Sequence, residues 1–158
     1  MKNTFFILVF VCFLGCKESK KTNTFDRLSD LKHLVDLNGE PFSMTHLKGK
    51  KVLVNYWATW CAPCKKEMPD LLEAQKILAA NNYVFLLISD ESEAKIQNFR
   101  DQNKYDFSFL RMTTSLSNLG IYALPTTYVY NEKGEKVKKI IGAVKWNSKE
   151  MITQLKEL

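Results

Sequence analysis

The sequence predicts an α/β fold, with a central mixed sheet flanked by helices and a β-hairpin ahead of it. Three observations carry this. Two apolar runs, residues 52–57 and 84–88, enclose a stretch of helical periodicity, which reads as a β-α-β unit with parallel pairing. A later pair of runs, residues 124–130 and 136–142, is joined by the turn residues Glu132-Lys133-Gly134, which reads as an antiparallel pair. Between the first run and its helix stands Cys61-Ala62-Pro63-Cys64.

The elements follow in order. Residues 1–15 read as a signal peptide: Lys2 opens a basic region, and residues 5–14 form an uncharged apolar run too short to span a bilayer. Residues 16–29 read as a polar tether, and residues 30–158 as the folded domain. His33-Leu34-Val35-Asp36-Leu37 meets the turn signal Asn38-Gly39 and then Pro41-Phe42-Ser43-Met44, a small hairpin. Residues 52–57 are apolar on both faces, as in a strand with helices on both sides of its sheet. Met68, Leu71, Leu72, Gln75 and Leu78 recur at helical spacing, and Pro69 within them predicts a kink. Ser92 is placed to cap a helix running to about Lys104, with Ile96 and Phe99 inward, and residues 107–110 read as a short strand. Asn147 with Glu150 three residues on reads as a capping-box variant opening a last helix, with Met151, Ile152 and Leu155 inward.

The junction Gly15-Cys16, followed by polar Lys17-Glu18-Ser19, resembles a bacterial lipoprotein cleavage site in which Cys16 carries the lipid; an ordinary or uncleaved export signal is the alternative. Cys12 then leaves with the signal and Cys16 is acylated or lost with it, so of the chain's four cysteines only Cys61 and Cys64 remain in the domain. An exported domain with one close pair has no disulfide framework, and so short a loop constrains the unfolded chain little, so the pair reads as a working centre. A thiol at a helix N-terminus faces unpaired N–H groups and the positive end of the dipole, which favour the reactive thiolate. The net charge of +6 is spread over three lysine clusters, at 17–21, 48–51 and 133–139, none interleaved with aromatics as a nucleic-acid surface would be.

Residues 55–69, from Asn55 through Trp60-Cys61-Ala62-Pro63-Cys64 to Glu67-Met68-Pro69, together with Leu124-Pro125-Thr126-Thr127 and the Asp36-Leu37-Asn38-Gly39 turn, resemble the thioredoxin fold. The resemblance is closest to the extracytoplasmic thiol-disulfide oxidoreductases of the TlpA/ResA type and runs from about residue 30 to residue 158. It implies that Cys61 is the exposed attacking thiolate and Cys64 the more buried resolving thiol. It also implies that Pro125 is a cis-proline facing them, with substrate docking beside Leu124 and against Trp60, Ala62 and Pro63. Glu67 matches an acid kept near the resolving cysteine, while the buried acid of thioredoxin itself is replaced by Asn55. Protein thiols and disulfides are the implied substrates, apocytochrome c among them. A membrane electron donor would re-reduce the protein. The implied molecule is a monomer, anchored on the periplasmic side through Cys16, with no cofactor, metal or nucleic acid.

Other readings compete. Two thiolates are half of a structural zinc set, and His33 and His46 both lie upstream. Copper-delivering relatives resemble Cys-x-x-x-Cys with a late histidine. Peroxiredoxins place a threonine three residues before their cysteine, where Ala58 stands. Glu67 could be a solvated carboxylate in the first helical turn, favourable to the dipole. A binding or chaperone-like lipoprotein with an idle cysteine pair is the alternative function.

Overall fold

The computed structural model describes residues 27–158. The signal peptide, Cys16 and the tether up to residue 26 lie outside the described residues.

Six strands form one sheet: β1 (Leu34–Val35), β2 (Lys51–Tyr56), β3 (Tyr83–Ser89), β4 (Ser108–Met112), β5 (Thr126–Tyr130) and β6 (Lys136–Ile141). Their order is β1-β4-β3-β2-β5-β6. β2 pairs parallel with β3 and β3 with β4, while the β1–β4, β2–β5 and β5–β6 pairs are antiparallel. The mixed sheet is therefore as the sequence implies. The N-terminal hairpin is smaller than its residues suggest. β1 has two residues, and Val35 meets Pro41 in an isolated bridge around the Asp36–Gly39 turn, where Gly39 has φ +85°.

Three helices follow the sheet strands: α1 (Ala62–Leu78), α2 (Glu93–Asn103) and α3 (Lys149–Glu157). Alternate residues of β2 point to opposite faces. Leu53 and Trp57, which follows the strand, join a core with Met68, Leu71 and Leu78 of α1, Ile96 of α2, and Ile152 and Leu155 of α3. Val52, Val54 and Tyr56 join a second core with Leu28, Leu31, Leu34, Leu47 and Leu116. All three α-helices thus serve one face, and short 3₁₀ turns and the N-terminal segment cover the other, where the sequence implies helices on both sides; an apolar strand face needs only to be covered. The crossovers from β2 to β3 and from β3 to β4 step the same way across the sheet. Right-handed connections therefore place α1 and α2 on one side.

Several sequence-based details change. Arg27 bridges to Glu135, and Leu28 is buried with its N–H on the Gly134 carbonyl, so the fold takes in residues assigned to the tether. Helix α1 runs on through Pro69 for nine more residues to Leu78. Ser92 holds the N-cap position of α2 in extended geometry, yet its side chain makes no capping bond. The cap of α3 is Ser148, whose hydroxyl accepts the Met151 N–H, and Asn147 reaches Glu73 on α1 instead. Leu124 and Pro125 precede β5 and lie outside it.

Candidate active site

The cysteines sit where β2 hands over to α1. Cys61 is the N-cap of the helix, with extended φ −79° and ψ 98°, and its Sγ accepts the backbone N–H of Cys64 at 3.2 Å. Pro63, in the first turn, has no N–H to leave unpaired. The two cysteines form a disulfide with a Cα–Cα separation of 5.3 Å. Cys61 is 4% exposed and Cys64 1%. The exposure expected of Cys61 is not found: both cysteines are buried, because the disulfide turns the two sulfurs toward each other. Ala62 and Pro63 are exposed beside it, and Trp60 is 71% exposed while Trp57 is fully buried against Phe99 and Phe109.

The strand register places the second motif at the end of β2 from which the chain runs on to Cys61. Tyr56 pairs with Thr126, so the continuing backbones lead to Trp57 on one strand and Pro125 on the other, at one end of the sheet. The Leu124–Pro125 bond is cis, Pro125 is buried, and its carbonyl accepts the Gly142 N–H. Leu124 packs partly buried against both cores, while Tyr122, two residues earlier, is 84% exposed.

Glu67 is neither solvated nor in the first turn. It is the sixth residue of α1, 3% exposed, and one helical turn beyond Cys64. Its Oε1 accepts Asn55 Nδ2 at 2.9 Å, and its Oε2 accepts Trp146 Nε1 at 2.8 Å and the Val144 N–H at 3.2 Å. Asn55 Nδ2 also donates to Thr127 Oγ1 at 3.0 Å. Burial pushes the Glu67 carboxyl above its ordinary range, against the opposing pull of its Trp146, Asn55 and Val144 donors. A cleft of about 360 Å³ lined by Lys66, Glu67, Asp70, Ala143, Val144 and Lys145 leads from this acid to solvent.

Sequence reading missed three contributors. Trp146 carries no periodic signal, and it reaches Glu67 only because α1 and the loop before α3 meet. Thr127 lay in the quoted motif without a role. Glu91, just beyond β3, accepts the Thr59 N–H at 2.6 Å and the Thr59 hydroxyl at 2.9 Å, fixing the loop that presents Cys61. His33 and His46 stand away from the cysteines, the first joined to Thr113 through its carbonyl and the second stacked edge-on to Phe42. Among the described residues no group of three or more His, Cys, Asp or Glu could hold a metal ion.

Residues 24–140 match the AhpC/TSA family. The chain is 37% identical to the thiol-disulfide oxidoreductase ResA of Bacillus cereus over 69% of its own length and 65% of the relative's. It thus spans just under two thirds of that protein. It is 30% identical to ResA of Bacillus subtilis over 87% of this chain and 82% of the relative. Among solved structures, the exposed lipoprotein thioredoxin of Streptococcus pneumoniae superposes with a TM-score of 0.65 at 30% identity, covering 79% of this chain and 97% of that one.

Proposed function

The chain belongs to the AhpC/TSA family, and on that footing we propose that it is a thiol-disulfide oxidoreductase acting on protein disulfides in the cell envelope. The observation that carries this reading is the Cys61–Cys64 disulfide at the start of α1, with a buried acid one turn beyond Cys64.

The reaction runs in the reducing direction. With both thiols reduced, the Cys61 thiolate attacks one sulfur of a substrate disulfide, forms a mixed disulfide and releases the other substrate thiolate. Cys64 passes its proton to Glu67 and attacks the Cys61 sulfur. The Cys61–Cys64 disulfide forms, the second substrate sulfur leaves as thiolate, and two electrons have moved to the substrate. The Glu67 proton returns to solvent through the cleft beside Asp70 and Lys145. Trp60, Ala62, Pro63, Leu124 and Pro125 form the substrate side, and a membrane thiol donor resets the pair. Apocytochrome c is the proposed substrate, and the protein works as a monomer.

The proposed location is outside the cytoplasm, held through a lipid on Cys16 on the periplasmic side. The Gly15-Cys16 junction and the likeness to the pneumococcal exposed lipoprotein thioredoxin support this. Among the described residues no helix is long and apolar enough to cross a membrane. The mass of the mature N-terminus and detergent partitioning test it; an unmodified terminus beginning elsewhere overturns it. The activity is tested by reduction of a model protein disulfide. Wild type should turn over, Cys61→Ser should be inactive, and Cys64→Ser should accumulate the mixed disulfide. Equal slow reduction by all three would leave a binding protein with an idle cysteine pair.

A further inference from the structure

Every group that touches the Glu67 carboxylate is a donor: Asn55 Nδ2 at Oε1, and Trp146 Nε1 with the Val144 N–H at Oε2. This arrangement suits the ionised acid. Once Glu67 takes a proton, its new O–H meets only N–H groups. A backbone N–H and an indole N–H can never accept. Asn55 can, because an amide carries a donor and an acceptor of nearly equal size. Its Oδ1 is buried and has no hydrogen-bond partner.

Thr127 completes the set. Asn55 Nδ2 faces both Glu67 Oε1 and Thr127 Oγ1, so a half-turn of the amide brings Oδ1 to face the same two oxygens. Both of those oxygens can then donate: Glu67 because it is protonated, Thr127 because a hydroxyl donates as readily as it accepts. Each orientation satisfies two contacts and leaves one amide atom without a partner. Neither is therefore favoured until the proton on Glu67 decides between them.

We propose that Asn55 is a reversible positioning residue, which donates to ionised Glu67 and, after its amide turns over against Thr127, accepts a hydrogen bond from the O–H of neutral Glu67. The inference rests on Glu67 being the proton acceptor of the proposed mechanism, and it explains why an amide can serve where a second acid could not. An Asp in the same place accepts from the neutral acid but repels the ionised one. The charges near Glu67 are Lys66 and Asp70 on its own helix and Lys145 in the loop before α3, while β2 and β5 contribute the neutral Asn55 and Thr127.

The test uses the full chain in its oxidised form, where no turnover is needed. The trans-hydrogen-bond NMR coupling between Asn55 Nδ2 and the Glu67 carboxyl carbon is followed across the Glu67 titration. It should be present above the midpoint and vanish below it; persistence on both sides overturns the proposal. Asn55→Asp should move the Glu67 midpoint up by about one pH unit and displace the pH profile of resolution to higher pH by the same amount. An unchanged midpoint also overturns it. Should Asn55→Asp fail to fold, the wild-type titration decides alone. If Glu67→Gln leaves resolution untouched, the mechanism fails even where the coupling still switches, so the two failures are distinguishable.

Discussion

Glu67 holds a carboxylate where ionisation is costly, and its raised pKa fixes the sign of a stability effect. Above the ordinary value of 4.5 the unfolded chain releases this proton first, so the folded state binds more protons. Stability from this group is complete below 4.5 and is lost as pH climbs through the raised folded pKa. Wild type should therefore lose urea resistance over that window relative to Glu67→Gln, which has nothing to titrate there. Parallel curves of midpoint against pH would contradict the assigned burial. In kinetics, Glu67→Gln should slow resolution of the mixed disulfide by roughly 10²-fold, with the first attack by Cys61 changed less. Stopped-flow traces of both steps across pH separate the two. The acid is legible in the sequence through the resemblance to the TlpA/ResA type, which keeps an acid near the resolving cysteine. Its three-way connection is not, since Trp146 and Val144 lie almost eighty positions downstream.

Two parts of the fold each depend on a single polar side chain. Helix α3 starts on Ser148, so Ser148→Ala should cost about 1 kcal/mol in denaturant titration. Asn147→Ala should cost less, because its bond to Glu73 is exposed. The reverse ranking would restore Asn147 as the cap. The loop from β2 to Cys61 is held by two bonds from Thr59 to Glu91, and hydrogen bonds to a charged group are worth about 1.5–3 kcal/mol each. Glu91→Ala should raise hydrogen exchange at the Thr59 amide by at least about tenfold and slow the Cys61 attack, while far-UV circular dichroism stays the same. Unchanged protection at Thr59 would show the loop to be held elsewhere. Periodicity could not reveal this clamp, because it joins the ends of two adjacent parallel strands across 32 residues.

For the whole molecule, the α-helices cover only one face, which leaves the other dependent on its N-terminal segment. Leu28, Leu31 and Leu34 are all buried there. The reference is a chain beginning at Arg27. One beginning after Leu31 should lose roughly 1.5–3 kcal/mol for each of Leu28 and Leu31. Equal midpoints for the two truncations would mean the second face is closed without them.

The strands, the parallel unit and the place of the cysteines follow from local pattern, because apolar runs, helical spacing and a Cys-x-x-Cys at a helix start are each written within a few residues. The fold class and the Cys61–Cys64 centre were therefore settled by the sequence alone. Which face carries the helices was not, because apolar residues on both sides of β2 require only that each side be covered. The surroundings of Glu67, the Glu91 clamp and the true cap of α3 belong to the tertiary structure. They arise where distant segments meet, and a polar side chain's partner is chosen by that meeting, with no trace in its own neighbours along the chain.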